Sequence, residues 1–440
     1  MLASGPLLRH LGEVIDQTPD DRVFDDAIPE EIFQASLEEY EKADDRFGVK
    51  LPFWLTLRLI VHMALLRHLD IRSVLDRVAR VFGTPTSWRG GVPHSTSIAQ
   101  ARDRLGLDVV QGLFKRFAVY LADWDPSRWK GLLVVAIDGT MLDAPDSLAN
   151  VSEFGRPGGR NGSSGFPKFR LVAVVSTLSH FVLGCVTGAC KGPGTGEKTL
   201  VHSLLPLLQP DWLILMDSGF CSFPWLKALG DRPFFVRKTQ GKTAVKPRKV
   251  ERAIKPRADH WVDYLPVSSK SGEAPLRLRW IRINVNKKKR GRKAKWVEFL
   301  TNLPPERYPY DELVSLYMQR WEVEFAFREL KVDLLKKVMF RSQTPTRVLQ
   351  ETYGLLLAYN SIRLRMAQAA KLAKVEPRRI SFTYAVAILQ LAALNGLRER
   401  HVLLLLGSKQ IHKRPSRSYP RQVKRPAAKF PANRRRADSG

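Results

Sequence analysis

Cysteine is scarce in this chain of 440 residues: there are three, Cys185, Cys190 and Cys221. An odd number with no CxxC pair supports neither a disulfide framework nor a thiolate zinc site, and it reads as reduced, buried small residues in a cytosolic protein. Long apolar runs are missing too. The nearest approach to a membrane span, 171–190, is interrupted by Ser176, Thr177, Ser179 and His180, so no membrane-crossing helix is expected. The opening residues, MLASGPLLRHLGEVIDQ, lack the charged-then-apolar order of a secretory signal. Acids are in short supply: 43 Asp and Glu against 72 Lys and Arg, a formal net charge of +29 and an isoelectric point of about 10.3. Such a balance calls for a polyanionic partner, nucleic acid first and an anionic membrane surface second. Apolar residues are plentiful at 44%, which suits two to four domains with their own cores.

The charge is unevenly placed. Residues 1–50 hold thirteen acids against five Lys and Arg, 236–295 hold twenty Lys and Arg against four acids, and the last 34 residues hold eleven against one. A DNA-binding surface with a basic tail fits that layout better than a uniformly cationic shell.

Apolar periodicity divides the chain. The acidic first 45 residues suggest short amphipathic helices, and 52–81 keeps a helical period over two helices parted near Leu69 and Asp70. Ser95-Thr96-Ser97-Ile98 opens a further helix, capped at Ser95 or Ser97. Gln100, Arg102 and Arg104 line its exposed side. Two readings stand: the recognition helix of a helix-turn-helix, or the solvated face of a small bundle. A helix over 109–121 completes an all-helical N-terminal domain, 1–128. At Leu132 the pattern turns to strands. LLVVAID is a buried run ending at Asp138, and FRLVAVVSTL with HFVLGCVTGA forms a pair joined by a tight turn at Ser179-His180. WLILMD is a second buried run, ending at Asp217, with a helix from Phe223 to Leu229 and the strand PFFVRKT after it. Basic alternating segments such as LRLRWIRINVN predict a β-rich insertion over 240–305. Apolar helices follow the last core segment, and the tail from Gly407 has the composition of a disordered segment. The fold class is therefore α/β, a mixed sheet flanked by helices (129–239 and 306–372) between helical N-terminal and C-terminal (373–440) regions.

Tyr310 to Lys337 reads as one long helix, with Asp311 and Glu312 at its start, Lys336 and Lys337 at its end, and no Gly or Pro. Tyr317, Arg320, Glu324 and Lys331 then fall within roughly 60° of arc. An ordinary ion pair such as Glu324 with Arg328 is one account of that face. The other brings in Asp138 and Asp217. Three acids in strand, strand, helix order suit metal-assisted phosphodiester chemistry, in which two Mg²⁺ ions (or Mn²⁺) about 4 Å apart sit on carboxylates from rigid elements.

The spacing Y-x2-R-x3-E-x6-K of Tyr317, Arg320, Glu324 and Lys331 resembles the signature of bacterial DDE transposases of the insertion sequence 4 family. DGTMLDAPDSLANVSEFG is similar to the family's first-aspartate region and LILMDSGFCSFPWLKALG to its second. YMQRWEVEFAFRELKVDLLKK follows its glutamate region, and the resemblance spans roughly residues 25 to 370. It implies an RNase H-like core with a β-rich insertion between the second and third acids, and cut-and-paste transposition: nicking, hairpin formation and opening, and 3′-OH strand transfer. Asp138, Asp217 and Glu324 would be catalytic metal ligands. Tyr317, Arg320 and Lys331 would contact DNA near the cut, with Arg328, Arg102 and Arg104 as further DNA candidates. Trp296 or Trp280 would stack a flipped base. Ser218 departs from the basic residue often found after the second aspartate. The expected partners are double-stranded DNA (terminal inverted repeats and target) and a second copy in a synaptic homodimer, in the bacterial cytoplasm at the nucleoid. The rival expectation is a catalytically silent relic that binds the element's ends as a repressor.

Overall fold

The computed structural model of the chain describes residues 27–42, 49–88, 91–125, 128–159, 162–163, 165–238, 248–249, 259–264, 274–284, 296–395 and 397–412. The first 26 residues, most of the lysine-rich part of the insertion and the tail from 413 lie outside them. In chain order come helices α1 Glu30–Glu39, α2 Phe53–Leu65, α3 Ile71–Phe82, α4 Ser95–Leu105 and α5 Asp108–Trp124. Then follow β1 Leu132–Asp143, α6 Leu148–Phe154, β2 Lys168–Ser176, β3 Val182–Ala189, β4 Trp212–Met216, α7 Phe223–Leu229 and β5 Phe234–Arg237. After these are β6 Arg248–Lys249, β7 Asp259–Tyr264, β8 Leu276–Asn284 and β9 Trp296–Thr301. Helices α8 Tyr310–Tyr317, α9 Glu322–Arg328, α10 Pro345–Leu372, α11 Phe382–Asn395 and α12 Glu399–Ser408 close the order. The described residues form two compact units, one of residues up to Leu121 together with those from Arg328 on, the other Ala122–Phe327.

The first unit is helical. α2 and α3 part where the sequence breaks, because the Asp70 carboxylate caps α3 by accepting from the backbone N–H groups of Arg72 (3.0 Å) and Ser73 (3.1 Å). Val74, Leu75, Val78 and Ala79 bury one stripe of α3. Gly354 in α10 lies against α2 so closely that a Cβ there would stand 2.4 Å from the Ile60 carbonyl oxygen. Glycine is what lets the two backbones touch. α4 departs from the expected reading in two ways. Its N-cap is His94, whose Nδ1 accepts from the Thr96 N–H, rather than a serine. Arg102 is not on the exposed side but 3% exposed, donating to Gln350 Oε1 (3.2 Å), Ser342 Oγ (3.1 Å) and the Arg347 carbonyl (2.8 Å). A guanidinium taken out of water needs partners, and these acceptors take one N–H from each of its three nitrogens. Arg104 is exposed, with its guanidinium on the Leu51 carbonyl and 5.0 Å from the Phe53 ring.

The second unit holds a mixed sheet in the order β3-β2-β1-β4-β5-β9-β8-β7-β6, with the short strand Arg128–Trp129 added to β1. β1, β2 and β3 are antiparallel neighbours, and β4 and β5 run parallel to β1. β1 and β4 are buried on both faces, which is why they read as unbroken apolar runs. Strands β6 to β9, from residues 240–305, extend this same sheet through β9, antiparallel to β5. Its underside is tied by a buried pair: Arg279 on β8 grips both oxygens of Asp259 on β7 (2.8 and 2.5 Å) and donates to the Tyr308 carbonyl (2.6 Å), at the entry to α8. β1 does not end at Asp138. It continues five residues further, with Asp138 opposite Ala173 of β2, and what changes at Asp138 is burial, complete through Ile137 and partial from Asp138 to Met141.

Candidate active site

Asp138 and Asp217 come together through strand register. β1 and β4 are parallel and their last paired residues are Ile137 and Met216. One residue on, each chain emits an aspartate, about one strand spacing from the other, roughly 5 Å. Asp217 also caps the short 3-10 turn Ser218–Phe220, its Oδ1 accepting from the Gly219 N–H at 2.7 Å. The Asp138 Oδ1 accepts from its neighbour, the Gly139 N–H, at 2.8 Å.

The expected continuous helix from Tyr310 to Lys337 is in fact four pieces: α8, a 3-10 turn Met318–Trp321, α9, and a π turn Glu329–Leu334. The 3-10 turn tightens the backbone where Arg320 sits, and the π turn widens it around Lys331, where the Leu335 N–H reaches back five residues to the Leu330 carbonyl at 2.8 Å. The turn between β2 and β3 holds the tightened stretch. Thr177 Oγ1 bonds the Gln319 side chain at 2.8 Å and His180 Nε2 bonds Glu322 Oε2 at 2.8 Å. Ser179-His180 lies in the tight turn that the sequence predicts, but nothing in the sequence pairs 177–180 with 319–322, so its hold on the third element of the site belongs to the fold.

Arg320 is 6% exposed and reaches two acids. Its Nη1 lies 3.6 Å from Asp138 Oδ2 and its Nη2 donates to Glu324 Oε1 at 3.2 Å. The guanidinium carbon is 4.9 Å from the Trp321 ring and 6.0 Å from that of Tyr317. Tyr317 is buried and donates to the Met216 carbonyl at 3.2 Å, tying α8 to the strand that delivers Asp217. Burial, with the Asp217 charge adding to it, pushes the Tyr317 phenol up to about 12, so the hydroxyl stays a donor. Asp138 is pushed up to about 6, foremost by burial and also by the charges of Asp217 and Glu324; the Gly139 N–H and Arg320 pull the other way and do not offset it. A buried carboxyl raised in spite of an adjacent guanidinium marks a site where burial outweighs the positive charge beside it.

Three carboxylates from two strand ends and a helix are the donor chemistry that a hard divalent cation takes. Among the described residues no three His, Cys, Asp or Glu side chains converge on one ion: Arg320 occupies Asp138 and Glu324 together. The Glu324 side chain is 45% exposed and has room to turn. The donors therefore fit a metal in kind, with Arg320 holding two of them.

Lys331, half-buried in the π turn, and Arg328, exposed, belong to the helical unit, as do Arg102 and Arg104. Trp296 opens β9 and is 40% exposed. Arg282 sits 5.1 Å from the rings of both Trp296 and Trp280, so the two tryptophans flank one guanidinium. Cys185 and Cys221 are buried, and all three cysteines are unbridged. No helix among the described residues is long and apolar enough to cross a membrane.

Residues 129–361 match the family model described as "Transposase DDE domain", and residues 21–115 match "Insertion element 4 transposase N-terminal". The transposase InsG for insertion sequence element IS4 of Escherichia coli (strain K12) is 27% identical over 417 residues, 89% of each chain. Among solved structures, a piggyBac transposase synaptic complex with hairpin DNA aligns with a TM-score of 0.41 and 12% identity, over 87% of this chain and 80% of that one.

Proposed function

The chain belongs to the DDE transposases, with the insertion element 4 N-terminal region ahead of the DDE domain, and on that premise we propose that Asp138, Asp217 and Glu324 are its metal-binding catalytic acids. It is a transposase of an insertion element of this type and a polynucleotidyl transferase and endonuclease that works with divalent metal ions. The finer assignment is two Mg²⁺ ions, replaceable by Mn²⁺, on an RNase H-like core. The observation that carries it is the register of β1 and β4, which emits Asp138 and Asp217 side by side, with Glu324 joined to Asp138 through Arg320. The order of an antiparallel three-strand meander followed by two strands parallel to the first supports the RNase H-like reading.

The bound ions would activate the attacking oxygen and stabilise the leaving one. The protein's part is to hold three carboxylates on a rigid sheet end and a pinned helix, so that little reorganisation is left for the reaction itself. The substrate is double-stranded DNA, the element's terminal inverted repeats and then a target. Water cuts one strand at the transposon end, the freed 3′-OH attacks the opposite strand to close a hairpin, water reopens it, and the 3′-OH is joined to target DNA. Arg320 and Lys331 contact phosphates beside the cut. Tyr317, bonded to the strand that carries Asp217, sets the position of that acid before any DNA contact. Arg328, Arg104 and Trp296 lie on exposed surface open to DNA, and the working form is a synaptic homodimer in the bacterial cytoplasm.

A labelled, precleaved transposon end is incubated with a supercoiled target plasmid and Mg²⁺, beside Asp138→Ala and Glu324→Ala. Joined product is expected from the wild type, with each variant reduced on the order of 10³-fold or more, the worth of several kcal/mol of charge stabilisation. Joining by Glu324→Ala at the wild-type rate would sink the assignment, and DNA binding without joining in every sample would leave a DNA-binding relic.

A further inference from the structure

We propose that Arg320 is a cation placeholder: it holds the Asp138 and Glu324 oxygens that a metal ion needs, so that metal and DNA phosphate bind cooperatively by exchanging places with it. The inference rests on the metal assignment made above and goes beyond it, to the order in which the site fills.

Three observations support it. First, one guanidinium spans two of the three acids, at 3.6 Å to Asp138 and 3.2 Å to Glu324. Charge-assisted pairs settle at roughly 2.7–2.9 Å when they are built to last. Both contacts are longer and neither is the two-pronged grip that arginine makes in a permanent pair, such as Arg279 on Asp259 at 2.8 and 2.5 Å in the same unit. Second, Arg320 Nε is buried with no hydrogen-bond partner among the described residues. A buried unsatisfied donor costs free energy, and an incoming phosphate oxygen would relieve it. Third, Asp138 and Glu324 share this one guanidinium, so both acids would be left uncompensated if it moved away with nothing in its place.

The consequence is a linkage. Without DNA, a divalent ion must displace Arg320 and leave that charge buried without a partner. With DNA, a phosphate receives the guanidinium and the acids pass to the ion. Each ligand then raises the affinity of the other by the same factor. An empty enzyme keeps Asp138 and Glu324 paired with Arg320 without a loaded metal site.

Calorimetric titration of the full chain with Mn²⁺, alone and on a duplex carrying the element's terminal repeat, tests this. Arg320→Gln without DNA is expected to bind Mn²⁺ on the order of tenfold tighter than wild type, within the usual range of coupling between sites. Wild type should gain a similar factor when DNA is added, and the variant should not. Equal or weaker DNA-free affinity in Arg320→Gln, or an undiminished DNA effect, overturns the proposal. Arg320→Lys, which keeps the charge but not the span, should fall between the two; it carries the test if Arg320→Gln melts early, and affinity equal to wild type would count against the placeholder. Asp138→Asn separates the two levels. If it still binds Mn²⁺ as wild type does, the metal assignment has failed; if it loses Mn²⁺ while Arg320→Gln is unchanged, only the placeholder has failed.

Discussion

Replacing Asp138 by Asn should abolish strand transfer and at the same time stabilise the metal-free protein. The Asp138 carboxyl is raised from its ordinary 3.8 to about 6, chiefly by burial. A folded carboxyl that keeps its proton to higher pH than the unfolded one contributes stability that is complete below about pH 4 and is lost as the pH climbs through about 6. A shift of that size corresponds to at most about 3 kcal/mol at neutral pH. Water reaches 21% of the side chain, which lowers the expectation to about 2 kcal/mol. For a unit of this size that is roughly 4–8 °C in melting temperature. Asn keeps the shape and can still accept from the Gly139 N–H, so the comparison isolates the charge. Melting both proteins in a chelator at about pH 4.5 and about pH 7.5 should show the variant ahead by about 2 kcal/mol at the higher pH and by less than about 1 kcal/mol at the lower. Saturating Mn²⁺ should then stabilise wild type and leave Asp138→Asn where it was. A variant that melts below wild type at neutral pH, or an offset that does not change with pH, would refute the account of Asp138 as a carboxylate disfavoured by burial.

The other expectations concern the scaffold and the charge. Arg102→Ala should cost about 3 kcal/mol, because Gln350 and Ser342 lose a buried partner. Chemical denaturation reads this directly, and an unaltered midpoint would return Arg102 to the DNA-binding surface. Asp259→Ala should cost about 3–5 kcal/mol by leaving Arg279 buried and unpaired, with strand transfer reduced even where the variant stays folded, since Arg279 also holds the Tyr308 carbonyl at the entry to α8. A folded Asp259→Ala with full activity would separate that strut from the site. DNA affinity should fall by roughly 0.9 log units per log of salt for each neutralised phosphate, and removal of 408–440 should flatten that slope. An unchanged slope assigns the basic tail another role.

Much of the frame follows from the sequence alone. The apolar runs at Leu132 and Trp212 read as buried strands because a strand covered on both faces has no polar positions to alternate with. The break at Leu69-Asp70 read as a helix boundary because Asp is a cap residue. The ordered acids and the Y-x2-R-x3-E-x6-K spacing named the chemistry, since residue type and spacing are local properties that the chain carries whatever its fold. Three things were decided only in three dimensions. Periodicity predicts one ideal helix over Tyr310–Lys337, yet a 3-10 turn and a π turn divide it: a hairpin turn more than a hundred residues earlier grips Gln319 and Glu322 beside the first, and Tyr359 and Arg363 hold Glu329 at the start of the second. Arg102 looked like a surface residue of a polar helix, yet its partners at 342–350 are some 240 residues away in the chain and bury it. The pairing of Asp138 with Asp217 is a matter of register between parallel strands, and the raised Asp138 carboxyl is a matter of burial. Neither quantity belongs to a residue by itself. Local order determines which groups a chain can offer, and only long-range packing decides which of them meet and how far from water they do so.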